Sequence, residues 1–109
     1  MFYFMNALSA QSLPASGSLR FDKVSPEEFL GLSMKNWIPF GWTSAIGHQN
    51  VADYASELLG MKIPMNRTNV QLEPGDRGII FQYSGPRLEE GAKTLPEGAK
   101  YELIMFSIL

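Results

Sequence analysis

Tyr101-Glu-Leu-Ile-Met-Phe-Ser-Ile-Leu109 is a long apolar run that decides the fold class. A strand with sheet neighbours and covered faces has this nearly continuous hydrophobic character, so the run predicts a central strand. Apolar runs at residues 2–5 and 78–84 predict two more strands. Residues 19–24 and 68–72 are also predicted to form strands, on a weaker pattern. Together they predict a mixed β-sheet of about four or five strands.

Two segments carry helix signals. In Ser25-Pro26-Glu27-Glu28 the serine is a helix cap, proline takes the first helical position, and Glu28 completes a capping box. A second helix is predicted directly after Gly47-His48, where apolar side chains recur at helical spacing, and Gly60 is placed to end it. The chain is therefore predicted to be a single α+β domain over residues 1–109, with two main helices.

Two stretches are predicted to be irregular. Residues 6–18 are small and polar, which is typical of an extended surface loop. Residues 34–43 combine helix breakers with Trp37, Phe40 and Trp42. Packing against the sheet is the expected role of these aromatic side chains, and base stacking or a subunit contact is the alternative.

Composition excludes several classes of function. The 109 residues are 45% hydrophobic and 18% charged, as in an ordinary globular protein. The absence of cysteine excludes disulfide scaffolds, thiolate zinc sites and cysteine nucleophiles. A net charge of −2 without a basic stripe argues against binding to duplex nucleic acid. The sequence shows neither a membrane-length apolar segment nor a signal-peptide pattern, so a soluble, cytoplasmic protein is expected.

The chain has one histidine, His48, placed at the predicted start of the second helix. Helix N-termini bind phosphate oxygens through backbone N–H groups and the positive end of the helix dipole. Imidazole exchanges protons near neutral pH, so a histidine beside a bound phosphate can take part in splitting a phosphodiester. The alternative is that His48 is structural or simply solvent-exposed, which is the commoner fate of a lone histidine.

Arginine side chains are the other candidates for a phosphate site. Arg67 and Arg87 follow segments rich in turn residues, and the guanidinium fork matches pairs of phosphate oxygens. Glu89 and Glu90 follow closely, where one of them could orient a catalytic group by hydrogen bonding. The alternative for all four is a solvated surface charge. No metal-ligand spacing, Gly-x-Ser-x-Gly elbow or Gly-rich nucleotide loop is present in the sequence.

Four short segments recur together in one family. They are Asn6-Ala-Leu-Ser9 after the first strand, Ser44-Ala-Ile-Gly-His48, Asn66-Arg67, and Arg87-Leu-Glu-Glu-Gly91. In this order and spacing the chain resembles, over nearly its whole length, the viral anti-CRISPR ring nucleases. That family antagonises type III CRISPR systems and was first catalogued as a domain of unknown function.

The resemblance implies a homodimer that binds cyclic tetra-adenylate, the second messenger of type III systems, across its two-fold interface. It implies cleavage without a metal or other cofactor, with His48 as general acid, Arg87 on the scissile phosphate and Glu90 orienting the active-site groups. It further implies ligand contacts from four polar side chains: Asn6, Ser9, Arg67 and Gln82. The polar stretch after Ser9 corresponds to the family's lid over the ring.

The chemistry implied is attack by a ribose 2′-hydroxyl on the neighbouring phosphate, which yields linear di-adenylate ending in a 2′,3′-cyclic phosphate. Two alternatives remain open from the residues. A module that only sequesters the ring needs the same arginines and helix N-terminus but no histidine. A protein-interaction role would use residues 37–42 as an exposed patch.

Overall fold

The computed structural model of the protein describes residues 1–36, 38–86 and 95–109, and for residues 33–36 the backbone alone. Two α-helices lie within these residues, α1 (Pro26–Asn36) and α2 (Gln49–Leu59). The five strands are β1 (Phe2–Met5), β2 (Leu19–Val24), β3 (Thr43–Ala45), β4 (Arg77–Ser84) and β5 (Lys100–Ile108). Short 3-10 helices occupy Ala10–Ser12 and Ile38–Phe40.

The strands form one mixed sheet in the order β2-β5-β4-β1-β3. β1 runs parallel to both of its neighbours, β3 and β4, whereas β5 is antiparallel to β4 and β2. This confirms the predicted α+β class with a mixed sheet and two main helices. β5, predicted to be central, does have a strand on each side, and β4 is the middle strand.

Both helices contribute to a core on one face of the sheet. Phe4 of β1 meets Phe29 of α1 edge-to-face, with ring centroids 5.9 Å apart. Tyr54 of α2 packs against Phe81 and Tyr101, whose own rings are stacked 5.7 Å apart. Alternate residues of the strands supply this face, because successive side chains of a strand point to opposite sides.

The capping signals act as the sequence predicts. The Ser25 Oγ accepts a hydrogen bond from the Glu28 N–H at 3.1 Å, and the Glu28 carboxylate accepts one from the Ser25 N–H at 3.2 Å. α2 begins directly after His48 and ends at Gly60, which takes the left-handed conformation at φ 68°. These elements follow from interactions within a few residues of one another.

The predicted strand at residues 68–72 is wrong, since this segment forms no strand. Leu72 is instead fully buried on the face of the sheet opposite the helices, in a cluster with Met5, Ile80 and Phe106. Its N–H donates to the Ser12 carbonyl at 2.8 Å rather than to a sheet neighbour. The apolar side chain at the end of the segment therefore helps to cover this second face.

Residues 34–43 are more regular than predicted, since they contain the end of α1, a 3-10 helix and the start of β3. Trp42 packs edge-to-face on Phe4 with ring centroids 4.9 Å apart, as expected. The same expectation is wrong for Phe40, whose relative exposure is 81%. Trp37 lies outside the described residues.

The loop predicted over residues 6–18 is mostly exposed, but it contains the short helix Ala10–Ser12 and a buried Ser12. Across the described ranges, no helix is long and apolar enough to span a membrane.

Candidate functional site

The candidate site lies at the edge of the sheet where the parallel strands β1, β3 and β4 end. Asn6 directly follows β1, and the turn of residues 46–48 connects β3 to α2. Ligands of sheets with parallel strands commonly bind at this carboxyl edge, where loops and helix N-termini converge. The topology thus brings two of the predicted site residues, Asn6 and His48, to the same edge.

His48 is the residue immediately before the first turn of α2. Its backbone is extended, at φ −130° and ψ 127°, and its carbonyl accepts the first helical hydrogen bond from the Ala52 N–H at 3.0 Å. The imidazole is exposed and makes no capping hydrogen bond. The side chain therefore stands at a helix N-terminus in contact with solvent, a position that fits both the catalytic interpretation and the alternative of a solvent-exposed histidine.

Gly47 is held by side chains on both of its peptide groups. Its N–H donates to the Asn6 Oδ1 at 3.1 Å. Its carbonyl accepts from the Arg67 guanidinium twice, from Nε at 3.2 Å and from Nη2 at 3.0 Å. Asn6 and Arg67, to which the resemblance assigns ligand contacts, are thus both attached to the residue next to His48.

A third set of contacts comes from the segment before Arg67. Asn66 donates from its backbone N–H to the Ile46 carbonyl at 2.8 Å and from its side-chain Nδ2 to the Ser44 carbonyl at 2.7 Å. The buried Ser44 hydroxyl donates to the Pro64 carbonyl at 2.6 Å. Residues 64–67 are therefore joined by hydrogen bonds to residues 44–47.

Sequence reasoning gave neither Ser44 nor Asn66 a role, although both lie inside quoted segments. They are 22 positions apart, and their contact depends on the return of the chain after α2. The usable signal was compositional: a serine and an asparagine sit beside Gly-His and Arg in segments that otherwise carry apolar residues and turn formers. Such side chains often hydrogen-bond the backbone of turns.

Gln82 and Ser9 are placed differently. Gln82 lies on β4 beyond Ile80, the last residue of β4 that pairs with β1, and opposite Glu102 of β5. With Ser84 and Lys100 it lines an open cavity of about 490 Å³. The Ser9 hydroxyl contacts the Ser12 hydroxyl at 3.4 Å, and among the described residues it makes no hydrogen bond to the turn of residues 46–48, called here the Gly47 turn.

Arg87 and Glu90 lie outside the described residues, as does Glu89, so their predicted roles stay predictions. The conformation of the chain just before them is marked by a glycine with positive φ and by one hydrogen bond. Gly85 has φ 129°, and the Tyr83 hydroxyl donates a hydrogen bond to the Pro86 carbonyl. A Cβ at residue 85 would lie 2.6 Å from the Ala99 Cα, so glycine is required there by space as well as by conformation.

Groups of positive character gather at the Gly47 turn. The N-terminal end of α2 carries partial positive charge, and the Arg67 guanidinium is bonded to the preceding carbonyl. Of the residues that the structure describes, no three His, Cys, Asp or Glu side chains gather as metal ligands. The described groups at this turn include three that can bind an anion: a guanidinium, an imidazole and a helix N-terminus.

A family model described as STIV B116-like matches residues 2–103. The chain belongs to the STIV B116-like family. Its structure is similar to that of B116 of Sulfolobus turreted icosahedral virus, with a TM-score of 0.79, 26% sequence identity and 97% of each chain covered.

The B116-like chain is also 34% identical over 89 residues to the uncharacterized protein ORF117 of Acidianus two-tailed virus, covering 82% of this chain and 74% of that protein. Both relatives are viral, so the expectation of a viral protein family is confirmed. The match to B116 further supports the α+β fold with its five-stranded sheet.

Proposed function

We propose that this B116-like protein is a metal-independent ring nuclease. It cleaves cyclic tetra-adenylate to linear di-adenylate with a 2′,3′-cyclic phosphate, and it thereby inhibits type III CRISPR defence inside the host cell. The observation that carries the proposal is the exposed His48 imidazole at the N-terminus of α2, on the carboxyl edge of the parallel strands. The substrate and the anti-CRISPR role rest on the resemblance of the four quoted segments.

The positive character of the Gly47 turn supports an anionic substrate. A guanidinium bonded next to a helix N-terminus places like charges close together, which is unfavourable until an anion lies between or beside them. Arg67 uses Nε and Nη2 to hold Gly47, and its remaining N–H groups can donate to a phosphate. An acidic protein can therefore bind a nucleotide at a local site of opposite charge.

The proposed reaction needs no activated water. The 2′-hydroxyl oxygen attacks the adjacent phosphorus, its proton passes to solvent, and the bond from phosphorus to the 5′-oxygen breaks. His48 in its protonated form donates a proton to that leaving oxygen. By family resemblance, Arg87 stabilises the charge on the phosphoryl oxygens and Glu90 orients the reacting groups.

A homodimer fits the symmetry of the substrate. The ring has four phosphates, and two copies of the chain present two each of His48, Arg67 and Arg87. Two cuts on opposite sides of the ring then yield two di-adenylates. Light scattering on the complex with the ring should give the mass of two chains, and a ring-bound monomer would refute the symmetric site.

The central test incubates the protein with labelled cyclic tetra-adenylate in excess chelator. We expect linear di-adenylate in many-fold excess over protein. His48→Ala should retain binding of the ring and lose about 10²–10⁴-fold in turnover, because alignment by the site still contributes.

Each outcome has a separate meaning. Intact ring retained on the wild-type protein would show a sequestering module instead of an enzyme. Full turnover by His48→Ala would remove the imidazole from the mechanism, and absence of affinity for the ring would favour a protein-interaction role.

A further inference from the structure

The geometry points to Asn66 as a positioning residue: we infer that its side chain fixes the turn that carries His48, without touching the substrate. This inference rests on the proposed function for its kinetic consequence. Its structural part stands on the hydrogen bonds around residues 44–47, and these can be examined without any substrate.

The Asn66 amide closes the turn at its start. Nδ2 donates to the Ser44 carbonyl at 2.7 Å, and the backbone N–H of the same residue donates to the Ile46 carbonyl at 2.8 Å. One residue thus fixes two carbonyls directly upstream of Gly47. A side chain that makes its hydrogen bond to backbone in this way is directed at the turn itself.

Neighbouring hydrogen bonds hold other groups of the same turn. The Ser44 hydroxyl donates to the Pro64 carbonyl at 2.6 Å and lies 3.4 Å from the Ile46 N–H. Asn6 and Arg67 hold the N–H and the carbonyl of Gly47. The peptide groups from Ser44 to Gly47 are thereby tied to two other parts of the chain.

His48 has no comparable fastening of its own. Its imidazole makes no capping hydrogen bond, so the position of the imidazole depends on the backbone of the turn that precedes it. A general acid has to lie within hydrogen-bond distance of the leaving oxygen, and a displacement of about an ångström can cost about a hundredfold in rate. Loss of the Asn66 amide should therefore slow the bond-breaking step more than it weakens binding.

The kinetic test compares Asn66→Ala with Asn69→Ala. Asn69 is an exposed asparagine three positions along, and its side chain makes no hydrogen bond among the residues the structure describes. We expect Asn66→Ala to lower the single-turnover rate at saturating cyclic tetra-adenylate by about tenfold to a hundredfold. Its Kd for the ring should stay within about twofold of the wild type, and Asn69→Ala should change neither quantity.

A spectroscopic readout tests the same inference without catalysis. His48 is the one histidine of the chain, so its imidazole resonances are assigned without ambiguity. In the ligand-free protein these resonances should shift or broaden in Asn66→Ala and stay in place in Asn69→Ala. Asn66→Asp, which keeps the size of the side chain and replaces the Nδ2 donor with an acceptor, serves if the alanine variant does not fold.

The outcomes separate this inference from the proposed function. If the wild type does not cleave the ring, the proposed function fails, and unchanged His48 resonances in the Asn66 variants would then refute the positioning role. If the wild type cleaves the ring, an unchanged rate in both Asn66 variants overturns the inference. So does weaker binding with a normal rate for the bound ring, because that result would make Asn66 a ligand contact.

Discussion

Replacing Gly78 with alanine is expected to destabilise the sheet at the register that creates the site. Gly78 lies on β4 between Tyr3 of β1 and Phe106 of β5. A Cβ at residue 78 would lie 2.5 Å from the Tyr3 carbonyl oxygen and 2.7 Å from the Phe106 Cζ. Both distances are well below the 3.4 Å at which ordinary contact begins, so the backbone oxygen of β1 and the buried ring would both have to give way.

The expected cost follows from what has to move. Overpacking of a well-packed interior costs about 1–3 kcal/mol, and the upper part of that range applies because one of the obstructing atoms is backbone. A loss of about 2–3 kcal/mol corresponds to a drop in Tm of about 10–20 °C for a chain of this size. The change should also disturb Asn6, which extends directly from β1 to Gly47.

Gly31→Ala is the matched control for this substitution. Gly31 lies inside α1, and a Cβ there would meet no atom within 4 Å. Alanine in place of a helical glycine should raise the free energy of unfolding by up to about 1 kcal/mol. Urea denaturation of both variants measures the difference, and a Gly78→Ala protein as stable as the wild type would refute the close approach of β1, β4 and β5.

Two further predictions concern stability. Ser25→Ala should lower the free energy of unfolding, measured by urea denaturation, by about 1 kcal/mol, because it removes the capping hydrogen bond to the Glu28 N–H. Ser16→Ala, at an exposed loop position, is the control and should cause no measurable loss. Equal effects of the two substitutions would contradict the capping role. Burial, with smaller contributions from Tyr101 and Tyr83, raises the pKa of Tyr54, so the folded chain holds that proton more tightly than the unfolded chain. The resulting stability is complete below the unfolded pKa of about 10 and falls as pH rises toward the higher folded pKa. As the pH is raised from about 8 to about 11, the free energy of unfolding should therefore fall less for Tyr54→Phe than for the wild type. An equal fall in both proteins would contradict this prediction.

Local signals carried most of the fold prediction. The capping box of Ser25 and Glu28, the start of α2 after His48 and its end at Gly60 each depend on residues within one or two turns of one another. The apolar runs of β1, β4 and β5 indicate buried strands because they are short and rich in aromatic and β-branched residues, whereas helices are usually longer. β3 escaped prediction because a strand of three residues is defined by its pairing with β1, and its own sequence carries no pattern.

The candidate site was predictable as a position but not as an arrangement. A glycine and a histidine before a helical repeat locate His48 at a helix N-terminus. That Asn6 and Arg67 both bond to Gly47 could not be read from the sequence, because these residues come from three separate parts of the chain. Leu72 illustrates the same limit, since an alternating apolar pattern suits both a strand and a segment lying across a sheet face.

The position of β1 in the sheet has a consequence for biosynthesis. β1 leaves the ribosome first among the described strands, yet its partners follow much later, with Phe4 pairing with Ser44 and then Ile79. The apolar Phe2-Tyr3-Phe4-Met5 segment has no sheet neighbour until β3 has been made. Nascent chains of this protein should therefore depend on chaperone shielding of β1, and stalled translation between β1 and β3 should favour aggregation.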